Sequence, residues 1–283
     1  MIRTYEKSVC FITGGASGIG EALGRELARR GAHVVLADRQ EDLAASIATD
    51  IISLGGSAEA VELDVRDEQA FDAAVDRVVG ERGRLDYLFN NAGIGIGGPF
   101  EDQTTDDWRY IVDVNLMGVV YGSLAAYRHM RAQGFGHIVN TASMAGQIAT
   151  PGLSSYGATK HAVVGLSRSL RIEGLEHGVR VSAFCPGVIK TAILDRGGRF
   201  GRMRGSAEVF EAEERPNDRS MDVNRFATLA LDQVAANREI IVLPWPWSIM
   251  RWIDRISERL SFRLGSYMYR RMRTEMKERS EKS

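Results

Sequence analysis

The chain has 283 residues, 44% hydrophobic and 26% charged, with six prolines, two cysteines and a net charge of −1. That suits a soluble α/β protein with a large core, as one large domain or two small ones, and a charge near zero gives no bias toward nucleic acid or acidic substrates. Cys10 and Cys185 lie in apolar runs without CxxC spacing and the five histidines form no ligand-spaced cluster, so a disulfide framework and a metal site both lack support.

A strand-like run, SVCFIT (8–13), opens the chain and leaves no room for a signal peptide before it. It leads through TGGASGIG (13–20) into GEALGRELARRG, where Ile19, Leu23 and Leu27 repeat at fours and Arg25, Arg29 and Arg30 take the other side, as in an amphipathic helix. In this strand–turn–helix setting Gly14, Gly18 and Gly20 let the backbone turn and approach a pyrophosphate, with Ser17 and Ile19 between them. The first N–H groups of the helix then hold the phosphate charge. No Gly-Lys-Ser/Thr follows, which argues against a phosphate-transferring P-loop. HVVLAD (33–38) ends on Asp38, 18 residues after Gly20. A carboxylate there accepts hydrogen bonds from both ribose hydroxyls and repels a 2′-phosphate, which favours NAD over NADP. Arg39 is the counterweight, because a guanidinium beside the pocket pairs with that phosphate. AEAVELDV (58–65) brings Asp64 and Val65 toward the adenine edge, and LDYLFN (85–90) runs into NNAG (90–93), setting Asn91, Ala92 and Gly93 against the cofactor.

A long helix starting near Thr105 carries Asn115, an odd residue in an apolar interior. The most apolar stretch, 114–127, is broken by Asn115 and Ser123 and is shorter than the roughly 18 residues of a membrane span. HIVNTAS (137–143) puts Ser143 at a strand C-terminus, the end that faces the ligand crevice. In SSYGATKHA (154–162) Tyr156 and Lys160 are one helical turn apart on the same face, and the rival Ser154 and Ser155 sit on the turn leading in. VRVSAFC (179–185) and EIIVLP (239–244) complete seven strand-like runs. The alternation predicts an α/β, doubly wound (Rossmann-type) seven-stranded parallel sheet with helices on both faces, plus a C-terminal helical extension. Residues 1–244 read as the dinucleotide-binding and catalytic domain, with a Gly- and charge-rich lid at about 190–222, and 245–283 as the extension. The lid's Arg196, Arg199, Arg202 and Arg204 read as solvated or as meeting an acidic substrate or a CoA tail, and Glu208, Glu211, Glu213 and Glu214 follow them.

TGGASGIG, DV (64–65), NNAG, VNLMG (114–118), NTAS (140–143), YGATK (156–160) and PGVIKT (186–191) occur in that order over residues 8–244. Together they resemble the short-chain dehydrogenase/reductase superfamily in its compact single-domain branch. The resemblance implies a Rossmann-type fold, a nicotinamide cofactor, and hydride transfer between an alcohol and a carbonyl. It points to Asn115, Ser143, Tyr156 and Lys160 as the catalytic set, and sets Pro186, Gly187, Ile189 and Thr191 along the nicotinamide and pyrophosphate. It also implies a homodimer or homotetramer built on helices 105–132 and 155–175.

The chemistry agrees with that set. A phenol of pKa about 10 is a poor base at neutral pH, and a cation within roughly 4–6 Å favours its ionised form. Lys160 supplies that charge and holds the nicotinamide ribose; Ser143 orients the substrate oxygen; Asn115 holds a water between Lys160 and solvent. In the tail, Ile249, Ile253, Ile256, Leu260 and Leu264 share one helical face, and the stripe of Arg251, Arg255, Arg259 and Arg263 begins opposite and drifts beside it. Residues 249–283 hold ten basic and five acidic side chains, a net +5. Such a helix docks on its own subunit or a neighbour, or else lies on an anionic membrane surface. The sequence thus reads as a cytoplasmic, NAD-preferring alcohol dehydrogenase/carbonyl reductase acting on a small molecule. The alternatives are a membrane-peripheral dehydrogenase of lipid-like alcohols or ketones, and a catalytically silent nucleotide-sensing protein on the same fold.

Overall fold

The computed structural model describes residues 5–191, 201–203 and 220–280. The first half alternates strand and helix: β1 (Val9–Thr13), α1 (Gly18–Arg29), β2 (His33–Asp38), α2 (Glu41–Ser53), β3 (Ser57–Glu62), α3 (Glu68–Arg82) and β4 (Tyr87–Asn90). A short strand β5 (Gly95–Gly97), α4 (Thr105–Val112), a π-helical turn (Asp113–Met117), α5 (Gly118–Gln133), β6 (Gly136–Thr141), α6 (Ser154–Glu173) and β7 (Val179–Pro186) follow. Then come β8 (Gly201–Met203), α7 (Val223–Ala235), β9 (Ile240–Leu243), α8 (Pro246–Ile256) and α9 (Glu258–Ser280).

Seven strands pair in parallel in the order β3-β2-β1-β4-β6-β7-β9, as the strand–helix alternation predicts. Parallel strands need crossover helices, and these cover both faces, so the central strands β1, β4 and β6 are buried along their whole length, whereas the edge strand β3, SAEAVE, is only partly buried. Phe11 and Ile12 show the consequence: adjacent and both fully buried, they serve opposite faces. Ile12 joins Leu23, Leu27, Phe184 and Phe226 under α1 and α7, whereas Phe11 joins Phe71, Leu88, Ile111 and Met130 under α3, α4 and α5. The strand order reverses between β1 and β4, and the loops after their C-termini diverge there to open a crevice.

A buried polar chain ties the crevice floor to α6. Asn90 at the end of β4 donates to the Asn140 carbonyl on β6 (2.9 Å), and the Asn140 amide donates to the Ser167 hydroxyl on α6 (3.0 Å). All three are buried, and the chain fixes where α6 stands against the sheet, while the Asn90 side-chain oxygen is left without a hydrogen-bond partner.

The structure differs from expectation at several places. The single helix expected from Thr105 starts there under a Thr104–Asp107 capping box, but it switches to π geometry over Asp113–Met117 before α5. The third strand ends at Glu62, leaving Asp64 and Val65 in the loop beyond it. β5 and β8 pair in parallel as a separate two-stranded sheet, unannounced because Gly-Ile-Gly has no alternating pattern. The tail's continuous helical face is interrupted at Ser257, whose extended backbone separates α8 from α9. Of the expected lid, residues 192–200 and 204–219, with Arg196, Arg199, Arg204 and the four glutamates, lie outside the described residues.

Candidate active site

The crevice is a cleft of about 390 Å³ that extends from Asp38 and Arg39, past the glycine turn, to Tyr156 and Lys160. Two glycines make its floor. Gly14 has φ +66°, and a Cβ there would lie 2.9 Å from the Ala92 backbone, so only glycine lets the β1 and β4 turns approach. A Cβ on Gly20 would lie 2.0 Å from the Gly14 carbonyl oxygen, so the first turn of α1 packs on the loop only without a side chain. Asn91 locks the same junction: its amide donates to the Thr13 carbonyl (3.1 Å), and the Asn91 and Ala92 N–H groups donate to the Thr13 hydroxyl at 3.0 and 3.1 Å. Ser17 begins α1 without using its side chain as a cap and faces the cleft with Gly18, Ile19 and Thr191.

At the far end Asp38 is buried, and its two carboxylate oxygens accept from Ala16 N–H (3.1 Å) and Gln40 N–H (3.0 Å). Asp64 pairs with Arg66 at 2.5 Å, and that hydrogen-bonded guanidinium holds its carboxyl below the usual carboxylate range. The Arg66 guanidinium in turn lies 5.5 Å from the Tyr110 ring centre. Arg66 and Tyr110 line the cleft beside Val65, and neither stands out in the sequence.

At the near end Tyr156 and Lys160 project from α6 into the cleft, and Ser143 faces them from the end of β6. The Ser143 hydroxyl accepts from Ala145 N–H (3.1 Å), fixing its oxygen, and bonds the Tyr156 phenol. Burial pushes that phenol up and the Ser143 bond works against the rise. Lys160 Nζ donates to the Thr141 carbonyl (2.7 Å) and lies 5.5 Å from the Tyr156 ring centre. Burial pushes the ammonium down to about 8. The sequence reading has Lys160 lowering the phenol; here desolvation acts on both, raising one and lowering the other.

Asn115 is fully buried and does not line the cleft. Its amide donates to the Ile94 carbonyl (2.9 Å) and its carbonyl accepts from Ile94 N–H (2.8 Å), so both side-chain atoms clamp the strand that follows NNAG. A Cβ on Gly93 would meet the Asn115 oxygen at 3.3 Å and Lys160 Nζ at 3.5 Å. Asn115 therefore stands behind Gly93 and the lysine, outside the cleft lining.

Pro186, Gly187, Val188 and Ile189 form the wall that continues β7. Facing it is a residue that lies outside the expected domain. Trp247 on α8 lines the cleft, and a Cβ on Gly187 would lie 2.2 Å from its indole nitrogen. Arg251, one turn on, donates to Gln147 (3.2 Å), whose amide reaches Cys185 Sγ at 3.4 Å. The extension is thus packed on its own subunit at the site. Only the tryptophan-rich start of the tail hinted at this.

The sequence model described as short chain dehydrogenase matches residues 8–199. This chain belongs to that family. It is 38% identical over 185 residues to the oxidoreductase UcpA of Escherichia coli (strain K12), covering 65% of this chain and 70% of that one. It is 37% identical over 195 residues to the cyclohexanol dehydrogenase of Acinetobacter sp. (strain SE19), covering 69% and 78%. A short chain dehydrogenase/reductase of Burkholderia phymatum, solved in complex with NAD, superposes with a TM-score of 0.79 at 29% identity, over 91% of this chain and 96% of that one. This chain is accordingly an oxidoreductase on a Rossmann-type fold with a nicotinamide cofactor. The glycine cradle, the buried carboxylate at the end of β2 and the long cleft fit such a dinucleotide.

Proposed function

We propose that this chain is an NAD-preferring dehydrogenase that interconverts apolar secondary alcohols and the matching ketones, with Tyr156 as the proton-exchanging group. The observation that carries the reading is the Tyr156 phenol beside Ser143, one turn from Lys160, in the same cleft as the glycine turn and Asp38. When bound, the nicotinamide supplies the carbon that accepts or gives the hydride.

In oxidation the carbinol hydroxyl gives its proton to Tyr156 Oη as its C–H bond breaks; in reduction the phenol returns a proton to the new alkoxide. Ser143 Oγ, held by Ala145 N–H, keeps the substrate oxygen beside that phenol. Lys160, anchored on the Thr141 carbonyl, holds positive charge near the phenol and would hold the ribose of a bound cofactor, while Asn115 fixes Ile94 and the Gly93 turn behind it. Asp38, already aligned by Ala16 and Gln40, favours a free ribose 2′-hydroxyl over a phosphate, hence NAD. The substrate wall beyond Tyr156 is Met144, Ile148, Leu153, Val188 and Trp247, all apolar, and the similarity to a cyclohexanol dehydrogenase favours alicyclic alcohols within that class.

The test is a panel of alicyclic and straight-chain secondary alcohols and ketones with both nicotinamide cofactors, followed by the absorbance of the reduced nicotinamide. Turnover of apolar secondary alcohols with NAD is expected. Activity confined to charged substrates overturns the substrate class, and no turnover of any substrate overturns the chemistry.

A further inference from the structure

The outward side of α8 carries an apolar stripe with no covering element among the described residues. Trp245, Ile249, Trp252 and Ile256 follow one another at spacings of four, three and four, which is one face of a helix, and they are 69, 51, 55 and 81% exposed. The opposite side of the same helix is committed to the domain: Trp247 closes on Gly187 and Arg251 bonds Gln147. At its far end, Asp254 accepts from the Ser261 hydroxyl at 2.5 Å, tying α8 to α9. The stripe is therefore presented outward from a fixed platform.

We propose that this stripe seats the chain on an anionic lipid surface. Burying Trp and Ile side chains at the boundary between headgroups and acyl chains is favourable for a helix that is strongly amphipathic yet of low mean hydropathy. Charge selects the occupant. Arg255 flanks the stripe, exposed Arg259 follows it past the break, and residues 249–283 hold ten basic and five acidic side chains, a net +5. Anionic phosphates complement that charge, whereas a second copy pairing through the same face by two-fold symmetry sets one basic extension against another. The other apolar candidate, the continuous Thr105–Gln133 rod, is already half buried in the fold and packs on β4 and β6. The α8 stripe lies on the reverse of the helix that brings Trp247 to the cleft, so the seated protein holds its active-site rim near the lipid.

The experiment is co-sedimentation of the full chain with phosphatidylcholine–phosphatidylglycerol vesicles and with phosphatidylcholine alone. Its readout is binding, so it stands apart from the proposed chemistry. Sedimentation is expected with the anionic vesicles, weakening as salt is raised. Trp252→Glu with Ile256→Glu is expected to abolish it without moving the melting temperature, since both side chains are exposed. Arg255→Gln and Arg259→Gln, a pair that leaves the apolar stripe intact, is expected to weaken binding about fivefold per arginine. The proposal is overturned if the wild type stays in the supernatant with anionic vesicles, or if both variant pairs sediment like the wild type. It is equally overturned if light scattering finds a vesicle-free oligomer that the double glutamate substitution splits, which would give the stripe to a second copy.

Discussion

Tyr156 at neutral pH is a protonated phenol, because burial raises it further than the Ser143 bond lowers it. A protonated phenol gives a proton to a ketone without preparation, but it must first lose that proton to accept one from an alcohol. The rate of ketone reduction is therefore expected to fall, and that of alcohol oxidation to rise, as pH climbs through the phenol's titration. Tyr156→Phe removes the proposed proton carrier and keeps the ring. Its turnover is expected to drop by about two to four orders of magnitude, with cofactor affinity, read by protein fluorescence, nearly unchanged. Full turnover in that variant rules out the assignment. Asp38 allows a separate test at the other end of the cleft. Losing its charge as Asp38→Asn removes repulsion toward a 2′-phosphate and leaves exposed Arg39 to attract it. The ratio of kcat/KM for NADP over NAD is expected to rise about tenfold or more, a modest share of the Coulomb energy of two charges at such distances. A wild type that already prefers NADP shows instead that Arg39 outweighs Asp38.

Between elements, what the chain announces depends on whether a signal is periodic or chemical. β2 is legible to the residue, because HVVLAD is a β-branched apolar run with a glycine turn before it and a polar stretch after it. The glycine turn, Asp38, Ser143 and the Tyr156–Lys160 pair are legible because their spacing has a chemical meaning, and all of them line the one cleft. The π turn around Asn115 is not, since α and π backbones carry the same apolar pattern and differ only in one hydrogen-bond register. Trp247 was missed for a different reason: its place in the site comes from the packing of α8 against Gly187, a long-range contact no local window contains. That contact makes an element-level prediction. Gly187→Ala forces a methyl against the indole, and overpacking of this kind costs about 1–3 kcal/mol. A lower denaturant midpoint and a raised KM for the alcohol are expected. Adding Trp247→Ala to Gly187→Ala is expected to restore the midpoint relative to the sum of the two single changes, because the clash belongs to the pair. Additive effects would mean α8 does not hold that position in solution.

Over the whole molecule, the strand order puts a lysine where a stable core would not choose one. Lys160 is 3% exposed, against the carbonyl of Thr141 at the sheet's C-terminal edge, and burial takes it from an ordinary 10.5 down to about 8. Folding therefore disfavours the ammonium. Below pH 8 both folded and unfolded chains carry the proton, and the folded one bears the full cost of burying it, about 3 kcal/mol at about 1.4 kcal/mol per pH unit. Between pH 8 and 10.5 the unfolded chain holds more protons than the folded one, so this group's contribution makes stability rise with pH. Cys10 and Cys185, which burial pushes up to about 12 and about 11, act in the opposite sense above pH 9, so the raw stability curve mixes several titrations. The difference between wild type and Lys160→Met isolates the lysine, since methionine keeps much of the apolar stem and cannot titrate. Urea unfolding at intervals from pH 7 to 10 is expected to show the variant's advantage shrinking, or its deficit widening, steadily above pH 8. A difference constant across that range would mean that Lys160 is solvated in the folded chain and that the cleft floor is wetter than its packing implies. The same desolvation brings the ammonium's titration to within about a unit of neutral pH beside Tyr156, where the proposed chemistry moves a proton.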